Sequence, residues 1–129
     1  MEPIFLRLDE VLEIHRDQIE HYGGTLGIRD QGLLQSALAQ PSVSFGGSYL
    51  HADLYEMAAA YLFHIVQNHP FLDGNKRVGA VSAVVFLAMN DIELTAKEEK
   101  YEEVVLAAAK GKASKEEIAE FFRGNTQKG

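Results

Sequence analysis

Apolar residues recur at helical spacing through most of the chain. Leu8, Val11, Leu12, His15, Ile19 and Tyr22 fall three, four and seven positions apart and predict one amphipathic helix. Asp9 is its expected N-cap and Gly23-Gly24 its left-handed stop. Asp30 is expected to cap a second helix through Leu33, Leu34, Ala37 and Leu38, ended by Gln40-Pro41. The pattern then changes: Ser42–His51 (SVSFGGSYLH) alternates around Gly46-Gly47 and predicts a short hairpin or extended flap.

The stretch from Ala52 to Asn68 is apolar nearly all round, through Leu54, Met57, Ala58, Tyr61, Leu62 and Ile65. A helix with no polar face belongs at the centre of a fold, covered on several sides. Another follows from Asn75 to Met89, where VGAVSAVVFLAM carries no charge. Asn90-Asp91 reads as a turn and Ile92–Leu94 as a short extended link. Lys97–Lys110 repeats apolar residues at Tyr101, Val104, Val105 and Ala108, and predicts a further helix. Ser114-Lys115-Glu116-Glu117 is a capping box opening a last helix with Ile118, Phe121 and Phe122 inward. Gly124–Gly129 is expected to fray. The fold class expected is all-α, a helical bundle with one small β-hairpin flap. With no repeat or linker in view, residues 1–129 are expected to form a single domain.

Composition narrows the function classes. The 129 residues are 47% hydrophobic with only 3 prolines, which suits a packed globule. The absence of cysteine excludes disulfides and thiolate metal sites, and a reducing, cytoplasmic setting is the simplest expectation. No apolar run reaches membrane-spanning length, and Met1–Asp9 has no signal-peptide core. Lys+Arg of 12 against Asp+Glu of 19 gives a net charge of −7, which disfavours long DNA or RNA as a partner. Lys76-Arg77 is the notable internal cationic pair, and it leaves room for a small phosphate ligand held locally.

That pair closes HPFLDGNKR, residues 69–77. His69 ends the central helix, because Pro70 forbids its continuation. Phe71 and Leu72 are expected to pin the loop onto the core. From Gly74 onward the chain enters the next helix, so free N–H groups of Gly74, Asn75, Lys76 and Arg77 form an anion site at its N-terminus. Asp73 beside bound phosphates would hold Mg²⁺, a hard cation preferring oxygen ligands. His69 can accept a proton near neutral pH. A base, a metal carboxylate and a phosphate cradle are the parts that phosphoryl or nucleotidyl transfer requires.

Each of these residues alone has an ordinary structural role. An acid, a glycine and an asparagine before a helix form a cap and turn, and Lys-Arg aids solubility. Their joint order carries the reading. Elsewhere the ordinary role prevails. His15 is expected to be a satisfied core residue, and Tyr55 and Tyr61 packing residues. His64 and His69, five apart, point to different helix faces and make a poor metal pair. His21 and His51 flank glycine-rich turns and are expected to be exposed, and Glu98-Glu99 with Glu102-Glu103 to form a solvated face.

HPFLDGNKR resembles the core motif of the Fic/Doc superfamily, H-x-F-x-(D/E)-(G/A)-N-(G/K)-R. HYGGTLGIRDQGLLQSALAQP before it and VFLAMNDIEL after it resemble the Doc-type (death-on-curing) toxin branch, so the likeness covers roughly Leu8 to Phe122. The resemblance implies the Fic fold. His69 would be the general base toward a target hydroxyl, Phe71 the loop anchor and Asp73 the Mg²⁺ ligand. Asn75 and Arg77 would grip phosphates with help from the Gly74 backbone, and Ser42–His51 would be the flap that aligns a target segment by strand-like pairing.

Adenylylating Fic enzymes have a glycine after the motif asparagine and a second arginine three residues past the first. This chain has Lys76 and Ala80 there. The lysine is the Doc-type choice, and the resemblance implies an ATP- and Mg²⁺-dependent kinase. In that case ATP would bind flipped, its γ-phosphate by the histidine, and a Ser or Thr of the translation machinery, in the family elongation factor Tu, would be phosphorylated. Adenylyl transfer and a non-catalytic binding module on the same fold are the alternatives. The inhibitory (S/T)-x-x-x-E-(G/N) helix of many Fic proteins has its nearest fit at Thr95–Glu99, where Lys100 breaks it. Control is therefore expected from a Phd-like antitoxin, whose disordered C-terminal segment folds as a helix into a groove near the first helix.

Overall fold

The computed structural model describes residues 2–129. Its helices are α1 (Leu8–Tyr22), α2 (Gln31–Ala39), α3 (Leu54–Asn68), α4 (Asn75–Met89), α5 (Glu98–Ala109) and α6 (Lys115–Gly124). Two short antiparallel ladders complete it: β1 (Ser44–Phe45) with β2 (Ser48–Tyr49), and β3 (Ile92–Leu94) with β4 (Thr126–Lys128). This is the expected helical bundle with its hairpin, turned at Gly46-Gly47 where both residues have positive φ. No helix among the described residues is long and apolar enough to cross a membrane.

α3 is the hub, touching α2, α4, α5 and α6. Its residues from Met57 through Leu62, with Ile65 and Val66, are buried, as an all-round apolar helix requires. α4 lies against it at Gly79. A β-carbon there would stand 2.9 Å from Val66 Cγ2 and 3.3 Å from Leu62 O, so glycine sets how closely the two helices approach. Two tyrosines tie outer segments to this pair. Tyr61 Oη accepts the Leu6 N–H at 2.9 Å, and Tyr101 Oη donates to Ala80 O at 2.7 Å.

Four local expectations are corrected. α1 begins one residue ahead of Asp9: Glu10 reaches back to the Arg7 N–H at 2.8 Å, and Asp9 pairs with the Arg7 guanidinium at 3.0 Å. Asp9 therefore sits in the first turn, where a carboxylate still favours the helix dipole. Residues after Gly124 do not fray. Thr126–Lys128 pair with Ile92–Leu94, and Gly129 N–H donates to Asp91 O at 2.7 Å. The extended link after α4 offers unpaired backbone groups, and the returning C-terminal residues satisfy them. The Leu72 side chain does not pin its loop onto the core and is 55% exposed. His51 is buried, 8% exposed, because α6 closes over the point where the hairpin enters α3.

His64 on α3 accepts a hydrogen bond at Nε2 from Lys115 Nζ, 3.0 Å away. Burial first, and then the Lys115 ammonium, push its pKa down from 6.5 to about 4. Between those values the unfolded chain binds the extra proton and the folded one does not. Stability is therefore expected to fall as pH drops from 6.5 to about 4, and His64→Gln to flatten that part of a Tm-against-pH curve. Gly79→Ala is expected to cost about 1–3 kcal/mol in urea unfolding by overpacking the α3–α4 contact. Ser82→Ala, which removes a fully buried hydroxyl without a partner, is expected to cost nothing or to stabilise.

Candidate active site

The chain leaves α3 at His69, which adopts a left-handed conformation (φ 49, ψ 53). Such a conformation is uncommon outside glycine. Gly74 at φ 80 makes a second left-handed step into α4. The intervening loop is held by the segment ahead of α2. Arg29 and Asp30 N–H groups both donate to Pro70 O, at 2.7 and 3.0 Å, and Leu72 N–H donates to Gly27 O at 3.0 Å. Ile28 and Phe71 form an antiparallel bridge between the two segments. The Arg29 guanidinium donates to His69 O at 2.6 Å and to Asn68 O at 2.9 Å.

Below the loop, Phe71 is 1% exposed and its ring stacks on His15, centroids 3.9 Å apart and 9° from parallel. His15 is a satisfied core residue as expected, and more. Its Nε2 donates to Asp73 O at 2.9 Å, so α1 holds the backbone of the loop's carboxylate.

Asn75 is turned inward and is 6% exposed. Its Oδ1 accepts the Phe71 N–H at 2.9 Å, while Nδ2 donates to Phe71 O and to His69 Nδ1, both at 3.0 Å. The Phe71 N–H can meet only an oxygen, which fixes the amide's orientation. His69 Nδ1 is thus an acceptor, and the neutral ring carries its hydrogen on Nε2. His69 itself is exposed.

Asp73 is exposed, with Oδ2 accepting the Thr25 N–H at 3.2 Å and Oδ1 the Gly74 N–H at 2.9 Å, so that donor is not free as expected. Gly24 allows this approach: a β-carbon there would lie 2.7 Å from Asp73 Oδ2. The groups His/Cys/Asp/Glu form no cluster of three or more able to hold a metal among the described residues. One carboxylate suits Mg²⁺ only where phosphate oxygens and waters supply the other ligands. Asp73 fits that role and no tighter one.

The first bond inside α4 runs from Val78 N–H to Gly74 O at 2.9 Å, so the N–H groups of Asn75, Lys76 and Arg77 precede the helical ladder. Arg77 donates to Gly23 O at 3.0 Å and Gln18 O at 3.3 Å, and its guanidinium lies 5.8 Å from the Tyr22 ring centroid. Lys76 is exposed. These two cations border a groove of about 560 Å³ between α1, α4 and α5, with Glu98 and Glu102 on its far rim and Ala80, Val84 and Val105 in its floor.

The structure therefore brings His69, Asp73, Gly74, Asn75, Lys76 and Arg77 around one helix entrance. The polar ends of Asn75 and Arg77 are engaged by the chain itself. A family model described as Fic/DOC family matches residues 5–87, which contain the whole of this arrangement. The chain belongs to the Fic/DOC family. One relative of this Fic/DOC chain, "Toxin Doc" of Mycolicibacterium smegmatis (strain ATCC 700084 / mc(2)155), is 40% identical over 75 residues, and the match spans 58% of each. "Protein kinase doc" of Escherichia phage P1 is 29% identical over 115 residues, 89% of this chain and 90% of the relative.

Reading the motif alone missed what supports it. Arg29, Thr25 and Gly24 lie in the stretch between the first two helices, and only their spatial return to the loop gives them a role. His15 carried the signal of a polar side chain on an apolar face, which says that it has a partner but not which. Asn75→Ala is expected to destabilise the ligand-free protein by about 1–3 kcal/mol in urea unfolding, because the Phe71 N–H and C=O lose their partner. Loss of hydrogen-exchange protection at Phe71 accompanies it. An Asn75 that only reached outward to phosphate would leave both measurements unchanged.

Proposed function

We propose that this Fic/DOC protein is the toxin of a toxin–antitoxin pair and transfers the γ-phosphate of ATP to a Ser or Thr hydroxyl of a protein. The observation that carries the reading is the open N-terminus of α4 beside His69, bordered by Lys76 where adenylylating relatives have glycine. Ala80 stands where those enzymes place a second phosphate-binding arginine. The phage relative named a protein kinase, aligned over nearly the full length of both chains, supports the same choice.

In this reading the free N–H groups of α4's first turn and the side chains of Lys76 and Arg77 hold the phosphates. Asp73 would hold Mg²⁺, which when bound would offset the charge of the phosphates. His69 takes the proton of the attacking hydroxyl as the new O–P bond forms and ADP leaves. To accept at Nε2, the ring must carry its other hydrogen on Nδ1, where Asn75 Nδ2 now donates. A turned Asn75 amide presents Oδ1 to that hydrogen and gives up its contact with the Phe71 N–H.

The hairpin β1–β2, with Phe45 86% exposed at its tip, offers backbone edges to an extended target segment. The target class carried by the resemblance is the translation machinery, elongation factor Tu in particular. The groove beside Lys76 and Arg77 suits a Phd-like antitoxin helix with an apolar face, its basic residues toward Glu98 and Glu102. A helix seated there covers the entrance to the phosphate cradle. The setting proposed is cytoplasmic.

Supplying ATP labelled at either the α or the γ phosphorus decides the reaction. Label is expected in a protein target from the γ position only; label from the α position alone makes the protein a nucleotidyltransferase. His69→Ala is expected to lower transfer by about 10²–10⁴-fold with helical content unchanged. Undiminished toxicity of that variant would make the fold a non-catalytic binding module.

A further inference from the structure

We propose that Arg29 is a positioning residue for the reaction: its guanidinium holds the exit of α3 so that the His69 ring faces the phosphate cradle. The proposal rests on reading His69 as the base.

Helices that end in a left-handed residue ordinarily place glycine there, because a β-carbon disfavours that conformation. Here the residue is His69, at φ 49 and ψ 53, and it cannot be glycine if its imidazole does chemistry. The conformation must then be imposed from outside the helix. Two groups touch His69 in a way that does so. Asn75 holds the ring at Nδ1, and Arg29 holds the backbone, with Nε on His69 O at 2.6 Å and Nη2 on Asn68 O at 2.9 Å. The Arg29 main chain adds its N–H to Pro70 O at 2.7 Å, so one residue engages successive carbonyls from 68 to 70.

The chemistry of the side chain fits the task. A guanidinium presents Nε–H and Nη–H in one plane, at the spacing of two neighbouring acceptors, whereas an ammonium is a single point of charge. Its charge also lies where the last carbonyls of α3 are negative. Its acidic neighbour Asp30 serves as the cap of α2, with Oδ1 accepting the Leu33 N–H at 2.9 Å. Arg29 is exposed and lies outside HPFLDGNKR. It acts on the ring only through the backbone of His69.

The experiment uses the full chain with Arg29→Ala, Arg29→Gln and Arg29→Lys, read in two independent ways. The first is ¹⁵N NMR of the histidine rings in the nucleotide-free protein. Arg29→Ala is expected to move the His69 ring resonances and leave those of His64 in place. The second is steady-state transfer from ATP. A fall in kcat of about 10- to 100-fold, with the KM for ATP unchanged, is expected for Arg29→Ala. Arg29→Lys is expected to recover part of that loss, since it keeps the charge but not the fork. Should Arg29→Ala fail to fold, Arg29→Gln, which retains one donor, carries both measurements. Unmoved His69 resonances overturn the proposal, as does a kcat unaffected by the loss of the guanidinium. If the wild-type protein transfers nothing from ATP, the functional reading fails by itself, and the ring resonances still decide whether Arg29 holds His69.

Discussion

The carbonyls of Asn68, His69 and Pro70, at the point where α3 gives way to the motif loop, are taken by the Arg29 side chain and by the Arg29 and Asp30 main chain. A helix terminus leaves its last carbonyls without internal partners, and burying or fixing that end requires donors from elsewhere. In this protein the donors come from the loop before α2. They also keep a non-glycine residue left-handed, which turns the chain sharply enough for α4 to start beside the end of α3. Everything at the site follows from that turn: the ring of His69, the carboxylate of Asp73 and the open amides of α4 meet because two helix ends meet.

The same juxtaposition depends on rigidity farther in. α3 and α4 are both buried and approach closely at Gly79, so neither can slide without loss of packing. Phe71 under the loop, stacked on His15 of α1, fixes the height of the loop above this core. His15 then reaches the Asp73 carbonyl. The loop is thus braced from beneath by aromatic packing, from one side by the segment 27–30, and from within by Asn75. A site that handles a polyanion benefits from donors already in place, because little reorganisation remains when charge arrives.

Electrostatics are local in this molecule. The net charge is −7, yet Lys76 and Arg77 sit at the positive end of α4's dipole, where cations are ordinarily disfavoured. Their placement fits the phosphate ligand proposed for this site. Arg77 donates to the carbonyls of Gly23 and Gln18 at the end of α1. The groove alongside joins this cationic rim to the acidic rim of Glu98 and Glu102 across an apolar floor.

Periodicity was enough to locate the six helices, the hairpin and the two central rods, because an amphipathic or all-apolar pattern states directly which faces must leave water. The motif from His69 to Arg77 was legible for a similar reason: glycine, proline and charge at a helix boundary have few other uses in that order. What the linear chain could not show was pairing between distant segments. The C-terminal residues look like a polar tail until β3 supplies a partner, and His51 looks like a turn residue until α6 covers it. Arg29 and Thr25 look like loop residues until the loop returns to Pro70 and Asp73. Asn75, which the resemblance assigns to phosphate, turns inward because Phe71's backbone groups are buried and need it. Local burial preference is written in each residue's chemistry, whereas a hydrogen-bond partner dozens of residues away is chosen only when the fold brings two unsatisfied groups together.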